Sequence, residues 1–460
     1  MHFGNLLKRI LQIFTWGIGG LGILCVIWFA ANRLFDARPD PRRDAFLKLA
    51  DSEVPDEKNM AVGIAGLSAP RGADVMKHGA EIKKLYERNA PWPEIQRKAH
   101  SPDELKLTVE SEQINCWMDP DWPGMKGCLP FERSPQVLAD NRELLGRYKA
   151  LYKLNPPVNL GLPSKNLIPL TKLAVAEIRL DMKNGNYEAA YAKWRDQFRF
   201  TKTYLRGQED WVGKAIGLVN FGMSFPVIED LLVRQPSLAR GHFQELLELL
   251  RPEGIELINP IGVARAEYSH VDNFFNAPRS EPSEFEDIID RLGRTLGQPN
   301  RVRNRYLAYS MDFIPVLRQP WVKLQSELAA TIGRHESFDW GYLIDPFGSL
   351  LFLRTIDWQI KLVGLLRQVY ISDGKLRLAT LVVRINHDKV NDRDIPAFVA
   401  GVGPELYDPF SNKPMKWDSK NGRIYLITSD DGCSIAAFRV PIWDVKSGRQ
   451  PPKQAEWTIC

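Results

Sequence analysis

Residues able to do chemistry are thinly spread along this 460-residue chain. Ser372-Asp373-Gly374-Lys375 has the spacing at which a lysine amine can activate a serine hydroxyl. Its glycine is expected to fall between two helices, which would part the pair. Gly222-Met223-Ser224-Phe225-Pro226 approaches a nucleophile elbow but lacks the second glycine and is expected inside a helix. There is no phosphate-cradling loop, no HExxH, and no GxGxxG opening a helix. No catalytic residue and no cofactor is therefore assigned.

Metal chemistry is no better served. The histidines stand at 2, 78, 100, 242, 270, 335 and 387, with no two at ligand spacing, so each reads as a surface or capping residue. Asp388, Asn391, Asp392 and Asp394 make an oxygen-rich loop without the spacing or glycine of a calcium loop, and a solvated turn is expected. Glu104, Glu110, Glu112, Asp119 and Asp121 are of the type that hydrolyses sugars, yet isolated carboxylates are usually surface charge. Trp92, Trp117 and Trp122 cluster nearby and are expected to be buried.

The cysteines carry more. Outside the apolar segment described below stand Cys116, Cys128, Cys433 and Cys460, an even number with one close pair. Such a set favours a disulfide-forming compartment. Three connectivities are open; Cys116–Cys128 and Cys433–Cys460 close the shortest loops. Residues 113–131 hold three prolines and two glycines and cannot support themselves by regular hydrogen bonding, so a staple there is worth roughly 3 kcal/mol.

These residues must be held mainly by helices. From Ser134 onward apolar residues recur at helical spacing, with strong helices at 165–183 and 187–206 joined by Lys183-Asn184-Gly185-Asn186. Further helices fit 209–234, bent near Pro226, then 237–250, 321–333, 348–371 and 375–386. The last 70 or so residues are partly extended: 422–428 and 433–440 flank Ser429-Asp430-Asp431-Gly432 as a hairpin. Asp408-Pro409-Phe410 and Trp417-Asp418 are expected to build a turn. The fold class is mainly α, as stacked antiparallel hairpins with a small C-terminal β-hairpin segment.

Ile10 to Ala31 is an uncharged apolar run of 22 residues, the length of a membrane-crossing helix, and nothing comparable is expected elsewhere. A cleaved signal is disfavoured because Phe29 stands where a small residue belongs, and Cys25 lacks a lipoprotein context. The run reads as an uncleaved anchor contacting membrane lipid. Arg33, Arg38, Arg42 and Arg43 outnumber Lys8 and Arg9, which by charge puts the bulk in the cytoplasm. The cysteines argue the reverse, and a periplasmic bulk on a bacterial inner membrane is the expectation. The expected organisation is a cytoplasmic tail 1–9, anchor 10–31, stalk 32–58, stapled region 59–133, helical body 134–390 and C-terminal region 391–460. The net charge of +5, two of it from Lys8 and Arg9, is too small to argue for nucleic acid.

Three segments resemble, in order, those of an uncharacterised family of membrane-anchored bacterial proteins: AVGIAGLSAPRGAD, CLPFERSPQVLADNRELLGRYKALYKL and DPFSNKPMKWDSKNGRIYLI. The last also loosely resembles a pseudopilin tail, which can bind calcium; here its acidic cluster is reduced to Asp430 and Asp431, so no metal is assigned. GNYEAAYAKW resembles one tetratricopeptide hairpin. The resemblance implies a location and a helical fold but no activity. The expected function is a non-catalytic interaction or scaffold subunit with an envelope protein partner. The alternatives are an envelope hydrolase acting on peptidoglycan or peptide, and an accessory subunit of a secretion or respiratory complex.

Overall fold

A computed structural model describes residues 36–48, 54–88, 90, 92–99, 103–118, 127–156, 166–208, 210–276, 298–336, 363–427 and 434–440. The apolar run 10–31, residues 348–362 of the expected helix 348–371, the hairpin turn 429–432, and Cys433 and Cys460 lie outside these residues. The chain divides into two compact units, one of 1–50, 267–316 and 326–363, the other of 51–266, 317–325 and 364–460. Mostly helical structure with a small antiparallel sheet is what the described residues form.

In the first unit, helix α1 (Arg42–Lys48) is tied down by charge. Arg43 Nη2 lies 3.0 Å from Asp272, which also pairs with Arg303 at 2.7 Å. The Asp36 carboxylate accepts the backbone N–H groups of Asn300 and Arg301, first-turn donors that have no partner inside their own helix.

The second unit begins with α2 (Met60–Ala65), capped by Asn59, and α3 (Val75–Glu87), capped by Asp74. Gly66 and Gly79 bring the two backbones together. Helix α4 (Trp92–Ala99) follows, and then a 3-10 turn (Ser111–Trp117) that the Cys116–Cys128 disulfide holds to the following strand of chain. Trp117, 1% exposed, donates from its indole to the Leu129 carbonyl at 2.7 Å. Of the three clustered tryptophans, Trp117 is core.

Helices α5 (Ser134–Asp140) and α6 (Arg142–Ala150) lead through the turn Leu151–Lys153 to the longest hairpin, α7 (Leu167–Lys183) and α8 (Tyr187–Gly207). Trp194, Phe198, Thr201 and Leu205 recur on the buried face of α8, as the helical period requires. Next come α9 (Trp211–Gly222) and α10 (Phe225–Arg234).

Two readings of this stretch change. Residues 211–234 are long and apolar enough to cross a membrane, so 10–31 is not unmatched. Most of that stretch is buried, however, and it breaks at Met223 and Ser224 into two helices of the core. The expected helix 237–250 is likewise two, α11 (Ser237–Gly241) and α12 (Phe243–Leu249), parted at His242.

After α13 (Pro260–Asn276), α14 (Pro299–Leu317) and α15 (Trp321–Glu336) comes α16 (Val363–Asp388). Here the expected break at Gly374 does not occur. The glycine sits mid-helix because a side chain there would meet Leu426 Cδ2 at 2.5 Å: it admits the sheet rather than ending the helix. A short α17 (Ile395–Gly401) precedes the three-stranded antiparallel sheet β1 (Lys416–Asp418), β2 (Arg423–Ile427) and β3 (Ser434–Arg439), ordered 1-2-3 with Tyr425 opposite Ala437. The expected hairpin is β2–β3; β1 is an addition. Asp408 accepts from the Phe410 amide and the Ser411 hydroxyl, each at 2.9 Å, and Phe410 packs on Trp321 and Tyr370. The turn is structural, as expected.

Candidate binding cleft

Three segments converge on a cleft of ≈ 530 Å³: the end of α6 with its following turn, the middle of α7, and the middle of α8. Ala174 and Ile178 stand four apart on α7, 3% and 1% exposed, and give an aliphatic wall. Gln197 of α8, 1% exposed, and Tyr152 of the turn add polar groups to the lining.

The Tyr152 ring is set by packing. It lies 4.9 Å from Phe200 and 5.3 Å from Tyr148, centre to centre. Tyr148 in turn is ordered by a directed chain of hydrogen bonds. Thr171 Oγ1 donates to the Leu167 carbonyl at 2.9 Å, so the Tyr148 hydroxyl, 2.9 Å away, must donate to Thr171. The Tyr152 hydroxyl is covered, and its hydrogen-bonding neighbour is the Tyr148 hydroxyl, which has given its own proton to Thr171 and can still accept. Burial, with the neighbouring Tyr148, Glu177 and Asp196, pushes it well above the ordinary phenol range.

Charge surrounds the opening. Glu177 pairs with Lys149 of α6 and, at 2.9 Å, with Lys193 of α8, which also meets Asp181 at 2.7 Å. Burial opposes ionisation of Glu177, but the Lys149 and Lys193 ammonium groups outweigh it and hold the carboxyl below its ordinary value. Arg199 pairs with Glu245 at 2.9 Å and Asp196 with Arg195 at 2.9 Å. Lys153, exposed, has no ion-pair partner among the described residues. Four cations and two carboxylates thus line the cleft, Lys149, Lys153, Lys193 and Arg199 against Glu177 and Asp196.

The residues singled out from sequence lie elsewhere. Cys116 and Cys128 form their disulfide, with Cα atoms 6.2 Å apart. Ser372 and Lys375 share one helix, with no hydrogen bond between them among the described residues; Asp373 caps the amides of Glu253 and Gly254 and pairs with Arg377 at 2.7 Å. Ser224 lies between α9 and α10 rather than within a helix, is 1% exposed, and offers its carbonyl to Trp194 at 3.0 Å.

His242 stacks on Tyr191 at 4.2 Å and meets Glu188 at 3.0 Å; His335 meets Asp312 at 3.0 Å; His387 stacks on Phe243 at 3.7 Å. Glu110 caps the turn at Ser111–Trp117, and Glu104 lies 3.8 Å from Lys106. His2, His100, Asp119, Asp121 and Trp122 are outside the described residues. Among the described residues no three His, Cys, Asp or Glu side chains gather as metal ligands.

The cleft residues escaped the sequence because each is ordinary in its own segment. One trace was there: Gln197 is a polar residue set among the apolar positions Trp194, Phe198 and Leu205 of the buried face. No protein family, curated protein or solved structure matches this chain.

Proposed function

We propose that this chain is a non-catalytic, membrane-tethered protein that holds a segment of an envelope partner in the cleft between α6, α7 and α8. In this reading residues 10–31 cross the bacterial inner membrane once and the helical body, a set of stacked antiparallel hairpins, stands in the periplasm. The observation that carries it is the cleft: ≈ 530 Å³ within the range of specific ligand pockets, with an aliphatic wall, covered polar groups and a charged rim on rigid helices. The Cys116–Cys128 disulfide supports an oxidising compartment.

The test is capture from detergent-solubilised membranes with the wild type, Ile178→Trp, which fills the cleft, and Lys153→Glu, which alters only its exposed rim. A stoichiometric partner with the wild type, reduced by both variants and with the melting temperature unchanged in Lys153→Glu, is expected. A clean monomer, or equal recovery with all three, overturns the reading.

A further inference from the structure

The chain leaves its apolar run almost where the first unit begins. The run ends at Ala31 and Asp36 is already fixed to α14, so only residues 32–35 lie between. Five steps of fully extended chain reach about 18 Å at most. With 10–31 across the bilayer, its 22 residues rise about 33 Å as a helix against a hydrocarbon core of about 30 Å, so Ala31 stands at the edge of that core. The headgroup layer extends roughly 5–8 Å further. The start of α14 is therefore held within about 13 Å of the headgroup surface, whichever side of the membrane the unit is on.

The attachment there is firm. Asp36 accepts from the amides of Asn300 and Arg301 at 2.8 and 3.1 Å. Asn304 brackets the next residues, accepting from the Asp40 amide at 2.8 Å and donating to the Arg38 carbonyl at 2.7 Å. Residues 36–40 thus run beside the start of α14 and bring Arg38 alongside Arg301. Asp36 already fills the end of the helix, so an anion drawn to this place must be held by side chains.

Two guanidinium groups are available for that. Arg38 is exposed and Arg301 half-buried, and neither has a carboxylate partner among the described residues. The other cations of the stretch are engaged: Arg42 pairs with Asp40 at 2.6 Å, Arg43 and Arg303 pair with Asp272, and Arg305 donates to the His335 carbonyl at 3.3 Å. Asp44 is an exposed carboxylate without an ion-pair partner among the described residues. It belongs to α1, however, whose Arg42 feels the charge of Asp312, about 16 Å further along α14 from Arg301.

We propose that residues 36–40 and the start of α14 form a surface facing the bilayer, where Arg38 and Arg301 bind the phosphate groups of anionic phospholipids. This rests on 10–31 as a membrane anchor and is independent of what the cleft holds. A guanidinium fork matches phosphate oxygens at two nitrogens, which suits it to a headgroup. The contact gives a body on a single tether a second point of attachment, and so fixes which face of the first unit meets the membrane.

A photocrosslinking residue at the exposed Pro39 tests it, in the full chain reconstituted into nanodiscs of equal parts phosphatidylcholine and phosphatidylglycerol. Lipid adducts are expected, with phosphatidylglycerol exceeding phosphatidylcholine about fivefold. Arg38→Gln and Arg301→Gln should each lower that excess, and the double variant should bring it to parity at unchanged melting temperature. Arg38→Lys, which keeps the charge, should retain most of it.

No lipid adduct from position 39, equal amounts of the two adducts with the wild type, or an excess that survives the double variant overturns the proposal. If alkaline extraction strips the chain from membranes, the anchor fails and this inference with it. If the chain stays embedded and position 39 finds no lipid, only this inference is lost.

Discussion

Gly66 and Gly79 stand against each other where α2 crosses α3, so closely that a methyl group on either would lie 1.9 Å from a carbonyl oxygen of the opposite helix, Val75 and Val62 respectively. The obstacle is backbone, which cannot turn aside as a side chain can. Gly79→Ala is therefore expected to destabilise the chain by about 3 kcal/mol, the upper part of the range for overpacking. Gly146→Ala, in α6 with nothing within 4 Å of the new methyl, is expected to stabilise by about 0.5 kcal/mol. Urea unfolding of the three proteins checks both signs.

Reduction of Cys116–Cys128 should lower stability by about 3 kcal/mol, the loop-closure value for its 12-residue separation. The staple also steadies the carbonyl of Met118, to which Arg179 donates at 2.8 Å. Melting curves with and without a reductant measure the loss, and Cys128→Ser should show most of it without reductant.

Glu177 links α6, α7 and α8, and its carboxyl is held below its ordinary value of 4.5 by Lys149 and Lys193 against the opposing effect of burial. A carboxyl depressed in the folded state adds stability above its unfolded value and loses it as pH falls through the folded one. Glu177→Gln should thus cost about 1 kcal/mol at neutral pH. The gap from wild type should persist down to about 4.5 and close below it. Unfolding midpoints across that window give the comparison.

A second ionic cluster lies where β3 meets α10. Arg439 donates from its backbone N–H and its Nε to Glu229 at 3.0 and 2.8 Å, and its guanidinium also pairs with Asp230, which meets Arg179 at 2.9 Å. Burial pushes Glu229 up and Lys375 down. Arg439→Met would strand the Glu229 carboxylate and leave Asp230 with Arg179 alone, and is expected to cost about 3 kcal/mol. Lys375→Met should stay within about 1 kcal/mol of wild type, because that ammonium, 5.8 Å from the centre of Phe225, gains little from its site. Paired chemical denaturation of the two variants distinguishes these roles.

The local architecture was largely legible. The α7–α8 hairpin follows from apolar spacing and from Asn184-Gly185, and the staple follows from prolines between two close cysteines. Gly374 was misread because a glycine that admits a neighbouring leucine looks, in one dimension, like a glycine that ends a helix. The apolar residues 211–234 similarly hide that their partners are other core helices. Apart from the polar Gln197 on an apolar face, the cleft leaves no mark in the sequence, since Tyr152, Ile178 and Gln197 meet only after three segments pack. Nothing in the sequence marks Lys149 and Lys193 as the two partners that packing brings to Glu177.

The central claim is that the cleft, and not another face, holds the partner. A photocrosslinking residue placed at Lys153 on the cleft rim, and in a second protein at Val322, which is 65% exposed away from the cleft lining, tests it in intact membranes. One discrete adduct from position 153, absent from 322 and lost when Ile178→Trp is added, is the predicted result. No adduct from 153, or the same adduct from both positions regardless of Ile178→Trp, would contradict it.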